Sequence, residues 1–268
     1  MRAGGELLVE GCWEALCYHG MPSSELVARQ VAAYLDTEAR AEVARSILRA
    51  AALNRLWLLE LAGVPEPALS EARSKILGLL DALRGTSLSK LMGVEAAIAR
   101  AYYEALREVV PEEYGFRART RRPPEDCFSA ALSYGNALLY RVALRSVLRH
   151  GLDPRVGFLH VPFRSRPSLA LDLAEEFKQV VVDAAVLPLF TTRSMSVKAD
   201  FRAAGGGVLL SKRGRAKVAR AVRHRLNLAT PSGTLESLID RQAARLAAFL
   251  RGELQSYEPF TAESCLRR

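Results

Sequence analysis

Cysteine is scarce in this sequence and badly placed for structural use. Cys12, Cys17, Cys127 and Cys265 form no Cys-x-x-Cys pair. Scattered thiols of this number are too few for a disulfide framework and wrongly spaced for a zinc site, so the expected setting is reducing and cytoplasmic. No apolar run approaches the roughly 20 residues that cross a bilayer, and no membrane association is expected. The opening Met1-Arg2-Ala3-Gly4-Gly5-Glu6 lacks a positive region leading into an apolar stretch, so no signal peptide is expected. Repeats at a fixed period are missing too. Beyond a short apolar stretch at Leu7-Leu8-Val9, the alternation that marks strands is almost absent.

What is present is apolar material for a sizeable core and an excess of positive charge. The chain has 268 residues, half of them hydrophobic, which bounds it to one large domain or two modest ones. Lys and Arg number 38 against 29 Asp and Glu, a formal net charge of +9. Such a surplus points to a polyanionic partner, either nucleic acid or an anionic membrane surface, or to a merely soluble basic protein.

Helical spacing dominates. Ser23 or Ser24 can cap a helix whose apolar residues include Leu26, Val27, Val31 and Leu35. After a break near Asp36-Thr37 the same period runs from Val43 through Ile47, Leu48, Leu56 and Leu59, until Gly63-Val64-Pro65 stops it. Further helices are expected from Leu69 to Leu83, from Thr86-Ser87 to about Val110, and from Asp126 to His150, where Gly151 ends the run. Pro167-Ser168 opens one expected to reach Ala185. Ala204 to Leu210 reads as a turn entering a short strand or helix. Ser211 to Asn227 is a very basic helix, and Thr234 to about Leu254 is amphipathic. The fold class predicted is mainly α. Residues 1–22 read as a lead-in, 23–260 as one helical domain, and 261–268 as a tail.

Three places set an acid or an imidazole in apolar surroundings. Glu95 lies within Gly93-Val94-Glu95-Ala96-Ala97-Ile98, where a helix would ordinarily pack. A buried carboxylate there needs a partner, and Arg100 or another arginine would serve in a purely structural role. His160 sits in Phe158-Leu159-His160-Val161-Pro162, where a satisfied core histidine is the plain alternative to a functional one. Asp172 and Glu175 are three apart and share one helix face. Two acids so placed repel unless a cation or an arginine lies between them, or unless Asp172 merely serves the helix start.

The order Glu95, then His160 after Gly151-Leu152-Asp153-Pro154, then Asp172-x-x-Glu175, resembles the CRISPR-associated spacer-acquisition integrase family, the first Cas protein of adaptation. Pro123-Pro124-Glu125-Asp126 with the following Ala131-Leu132-Ser133-Tyr134-Gly135-Asn136 is similar to that family's central helix. Ser168-Leu169-Ala170-Leu171-Asp172-Leu173 and Tyr257-Glu258-Pro259-Phe260 extend the likeness, which runs from about Val27 to Phe260. The resemblance implies that Glu95, His160 and Glu175 bind a divalent metal, with Asp172 as an accessory acid and possible alternative ligand. Two carboxylates and an imidazole suit a hard cation, Mg²⁺ or Mn²⁺.

It further implies a DNA endonuclease and integrase that joins 3′-hydroxyl ends of captured double-stranded DNA to a CRISPR repeat, working with a second adaptation subunit. A stand-alone or transposon-type relative would use the same residues, and a non-catalytic helical DNA-binding protein would not bring them together. The family's β-rich N-terminal domain, which builds its homodimer, is expected to be missing or shortened. A monomer or a pairing through another surface would follow, and a dimer weaker than usual is expected. Ser129 stands where the family often has Asn, read as a shift in packing. For DNA contact the candidates are Arg164 and Arg166 beside His160, and Lys212, Arg213, Arg215, Lys217 and Arg220 on the basic helix, with the Arg117–Arg122 loop weaker.

Overall fold

Capping side chains set the starts of α1, α2 and α5, the helices of residues 24–35, 37–61 and 127–149. In the computed structural model, which describes residues 23–83 and 86–266, Ser23 Oγ accepts from Leu26 N at 3.4 Å to open α1 (Ser24–Leu35). Asp36 both ends α1 and opens α2 (Thr37–Leu61), its Oδ1 accepting from the N–H groups of Glu38 and Ala39 at 2.9 and 3.0 Å. Asp126 opens the long helix α5 (Cys127–Arg149) by accepting from Ser129 N at 2.7 Å. Between them lie α3 (Glu66–Ala82) and α4 (Leu91–Leu106), which pack on each other and on α2. The expected lead-in of residues 1–22 falls outside the described residues.

The core is built around α2 and α5. Both bury apolar residues along their length, and Phe128, Phe116 and Phe190 stack edge to face beneath α5. Against them pack α6 (Ser168–Glu175), a π-helical turn (Lys178–Asp183) and α7 (Ala184–Thr191). One continuous helix from Pro167 to Ala185 is therefore not what forms. From Leu173 to Val182 nearly every side chain is buried, polar and apolar alike. A segment buried all round has no solvent face to keep in phase, and the widened turn re-aims Lys178 and Asp183 inward.

Sheet is limited, among the described residues, to two hairpins. After the short α8 (Val197–Asp200), β1 (Phe201–Ala204) pairs antiparallel with β2 (Gly207–Leu210). Gly205 and Gly206, at φ +57° and +77°, form the two-residue turn that such a hairpin favours. The basic helix α9 (Lys212–Leu226) follows, then β3 (Ala229–Thr230) and β4 (Gly233–Thr234), and α10 (Leu235–Arg251). The end of the chain is stitched to α2 by a buried asparagine. Asn54 Nδ2 donates to Glu176 O and Phe260 O, and Asn54 Oδ1 accepts from Ala262 N at 2.7 Å, at the start of α11 (Ala262–Leu266). No helix among the described residues is long and apolar enough to cross a membrane.

Candidate active site

The connection from α5 to α6 is braced from two sides before it reaches His160. Gln30 on α1 donates to Asp153 O and Val156 O and accepts from Asp153 N, at 2.7 to 2.9 Å. Arg40 on α2 donates to Phe158 O at 3.0 Å. At Gly157 a Cβ would stand 2.8 Å from His160 O and 2.9 Å from Asp172 Oδ2, so the close turn of this loop requires glycine.

Asp172 fixes the histidine. It is fully buried in α6, and its carboxylate accepts from the backbone N–H groups of Phe158, Leu159 and His160 at 2.5, 3.0 and 2.9 Å. His160 Nδ1 lies 2.7 Å from Asp172 Oδ1. With Nδ1 held as donor, the other ring nitrogen is free to accept or to ligate. Burial opposes charge on His160, but the hydrogen bond and charge of Asp172 outweigh it and raise the pKa above its ordinary value. Each Asp172 oxygen serves two N–H groups, so the group acts as a positioning residue for the His160 loop.

His160 Nε2 faces Glu175 Oε1 at 3.8 Å. Glu175 is buried, and Lys178, one turn further on, forms an ion pair with the same oxygen. Arg55 on α2 completes the cluster. Its Nη2 donates to Glu95 Oε1 at 2.7 Å and stands 4.0 Å from Glu175 Oε2. Burial opposes charge on Glu175, yet Lys178, His160 and Arg55 together hold its carboxyl at about 2. Arg55 and Lys178 respond in kind: burial acts against their charge, and the neighbouring carboxylates raise both pKa values nonetheless. Glu175 Oε2 accepts no hydrogen bond from the protein, an orphaned buried acceptor.

Glu95, His160, Asp172 and Glu175 thus belong to one connected cluster, with Glu95 joined through Arg55. Arg100, the neighbour considered for Glu95, is exposed instead. No three Asp, Glu, His or Cys side chains among the described residues stand in a metal-holding arrangement by themselves. The two basic groups take the space between the carboxylates and balance their charge. Sequence reading missed both, although each left a trace. Arg55 stands at a core position of α2, four residues from Ala51 and from the buried Leu59, and Lys178 interrupts an apolar stretch three residues after Glu175.

The basic groups separate into structural and available ones. Arg166 folds its loop, bonding Val161 O and donating from Nε to Ser168 Oγ at 3.3 Å. Arg164 is exposed, lies over the Phe163 ring at 5.2 Å, and has φ +52°. On α9, Lys217 donates to Asp200 Oδ2 and Ser194 O, both at 2.6 Å, and Arg213 lies 3.1 Å from Asp200 Oδ1. Asp200 is fully buried, so these two anchor the helix to α8. Lys212, Arg215, Arg220 and Arg223 remain exposed.

The fold is a helical domain with basic flanks, in which an acid–histidine–acid cluster lies where α2, α4 and α6 meet. The family profile described as "CRISPR associated protein Cas1" matches residues 13–224. A CRISPR-associated endonuclease Cas1 of Thermus thermophilus is 36% identical over 248 residues, covering 89% of this chain and 73% of that protein. One from Methanothermobacter thermautotrophicus is 34% identical over 195 residues, covering 73% of this chain and 56% of that protein. A solved structure, a casposase bound to integration product, superposes with a TM-score of 0.81 at 29% identity, covering 89% of this chain and 68% of its own. The chain belongs to the Cas1 family, and it matches little more than half the length of the Methanothermobacter relative.

Proposed function

We propose that this chain is a divalent-cation-dependent DNA integrase and endonuclease of CRISPR adaptation. It joins the 3′-hydroxyl end of a captured double-stranded fragment to a CRISPR repeat by transesterification, and cuts DNA when water attacks instead. The observation that carries the reading is the line Asp172–His160–Glu175. An imidazole tied through Nδ1 presents Nε2 to a carboxylate whose second oxygen has no hydrogen-bond donor. Carboxylates with one imidazole fit Mg²⁺ or Mn²⁺, and Glu95, His160 and Glu175 would hold it. When bound, such a cation would polarise the phosphodiester and ease loss of the proton from the attacking hydroxyl.

The residues of the chain do the rest. Asp172 holds Nδ1 as the donor, so that Nε2 is the nitrogen turned to the site, and pins the loop. Arg55 holds Glu95 and Glu175 toward a common point, and Lys178 offers positive charge where the phosphate gains negative charge. Exposed Lys212, Arg215, Arg220 and Arg164 supply phosphate contacts that bind DNA without reading its sequence. The partners in this reading are DNA, a second copy of the chain and the second adaptation subunit.

Likeness to a casposase bound to integration product favours one alternative, in which the same site integrates into targets other than a CRISPR repeat. A strand-transfer assay with Mn²⁺, a labelled 3′-hydroxyl duplex, and targets with and without a repeat tests both. Joined product is expected from the wild type, and His160→Ala should yield none while still retarding DNA in a gel. Wild-type rates in His160→Ala would remove the site, and equal product on both targets would favour the alternative.

A further inference from the structure

On α2 and at the end of α6, a second buried polar group stands next in sequence to a residue of the site, and its partners lie near the end of the chain. On α6 it is Glu176, which follows Glu175 and is fully buried. Its carboxylate accepts from Tyr257 OH at 2.6 Å, from Phe260 N at 2.7 Å and from Gln242 Nε2 on α10 at 3.1 Å. On α2 it is Asn54, buried beside Arg55. Asn54 Nδ2 donates to Glu176 O at 2.7 Å and to Phe260 O at 3.1 Å, while its Oδ1 accepts from Ala262 N.

A carboxylate is a costly filling for this place. None of the three groups that donate to Glu176 carries a charge, and an aliphatic side chain would occupy the volume without the desolvation. What the carboxylate adds is grip. Its two oxygens only accept, so both sides of the group can take donors at once, whereas a glutamine would turn an NH₂ toward one of them. The grip falls on residues 257–262, and Phe260 also lies flat on Phe177, with ring centroids 4.5 Å apart and planes 18° from parallel.

The geometry of the site depends on the same two helices. Arg55 reaches from α2 to Glu95 at 2.7 Å and stands 4.0 Å from Glu175 Oε2 on α6. Side chains of a reacting site must keep their places to within about 0.5 Å, and the packed, hydrogen-bonded neighbours behind them secure that. Asn54 and Glu176 are such neighbours, each one peptide unit from Arg55 or Glu175. Both are bonded to one another and to the same short segment.

Resting on the functional reading above, we propose that residues 257–262 form a strap that sets the spacing of α2 and α6 at the site, with Glu176 and Asn54 as positioning residues for the reaction. Loosening the strap leaves the phosphate contacts of the basic surface where they are. The expected effect is therefore a fall in kcat with KM for DNA unchanged. Its size should be about 10- to 100-fold, the loss typical when a supporting hydrogen bond behind a metal ligand is removed.

The test uses the full chain and two Tyr→Phe variants that each lose one buried hydroxyl and keep the ring. Tyr257→Phe removes the donor to Glu176, and Tyr114→Phe removes a donor to Met195 O at 2.9 Å, outside the strap. Both should lower the melting temperature. Only Tyr257→Phe should slow strand transfer with Mn²⁺ at saturating DNA, and only it should speed amide exchange, read by mass spectrometry, in residues 168–178 and 50–58. A kcat no lower in Tyr257→Phe than in Tyr114→Phe would overturn the proposal, as it would leave the strap a merely structural role. Unchanged exchange in those two segments would overturn it as well, and so would a raised KM with kcat intact. Absence of strand transfer in the wild type would count against the integrase reading, whereas the exchange would still decide whether the strap holds α6 to α2.

Discussion

Replacing Asp172 by Asn separates the two roles this carboxylate plays. The amide keeps the size and one oxygen. That oxygen can continue to accept from Phe158 N and Leu159 N, the two donors that share Oδ2 at 2.5 and 3.0 Å. The NH₂ group then faces the two donors that share Oδ1, His160 N at 2.9 Å and His160 Nδ1 at 2.7 Å. Against the backbone N–H it is a donor facing a donor, leaving a part-buried group unsatisfied at a cost of about 1–3 kcal/mol. For a chain of this size that lowers the melting temperature by about 2–12 °C.

Against the ring, the NH₂ donates to Nδ1 and so moves the ring proton to Nε2, the nitrogen that faces Glu175. A metal ligand that has lost its lone pair should bind Mn²⁺ about 10- to 100-fold more weakly. Calorimetric titration with Mn²⁺ reads the affinity, and differential scanning fluorimetry reads the stability. A fall in melting temperature with unchanged Mn²⁺ affinity would mean that Asp172 only folds the loop and that His160 is no ligand. No change in either would refute the hydrogen-bond geometry itself.

Reversing Arg215 and Arg220 to Glu should weaken DNA binding and reduce the slope of log K against log salt by about 0.9 per lost phosphate contact, measured by fluorescence anisotropy on duplex DNA; an unchanged slope would put the DNA on another face. Lys217→Ala should act differently, lowering stability by about 1–3 kcal/mol because fully buried Asp200 loses a donor, and a change in DNA affinity without a change in urea midpoint would contradict that. Burial pushes Asp183 up from its ordinary 3.8 to about 6, Tyr102 OH donating to Oδ2 at 2.8 Å while Oδ1 has no partner. A raised folded-state value means that stability from this group is full below pH 3.8 and is lost as pH rises through 6. The gap between wild type and Asp183→Asn in urea unfolding should therefore shift by about 3 kcal/mol in favour of the variant from pH 4 to pH 8, and a constant gap would show that Asp183 is charged throughout.

Legibility in the sequence followed locality. Ser23, Asp36 and Asp126 cap helices through contacts two or three residues away, and these starts could be read in advance. Glu95, His160, Asp172 and Glu175 could be singled out because each sets a polar group in an apolar frame. The partners that give them meaning lie far off in the chain. Arg55 meets Glu95 across 40 residues, Gln30 holds the loop at Asp153 across 123, and Asn54 meets Ala262 across 208. No period or spacing encodes such pairings. The break after Glu175 was hidden for another reason, since a fully buried segment carries no amphipathic phase to show where the helix widens. On α9 the sequence reading counted charge correctly but could not separate Lys217 and Arg213, consumed by buried Asp200, from Arg215 and Arg220, which are free.

The cluster also explains how so acidic a site folds at all. Glu95 and Glu175 are both removed from water, and each alone would carry a desolvation cost of several kcal/mol. Arg55 and Lys178 offset that cost in the folded chain, so the site can assemble before any divalent ion arrives. In the proposed function the same pairing would set a condition on binding: a cation would have to compete with a guanidinium and an ammonium for the same carboxylates. Of these, Lys178 is the easier to displace. Its flexible stem and 14% side-chain exposure let it swing outward, whereas Arg55, at 3% exposure, is fixed between two helices. Glu175 Oε2, lacking a hydrogen-bond donor, and His160 Nε2, 3.8 Å from Oε1, would then be the groups open to such an ion. Arg55 would keep Glu95 in place through the exchange.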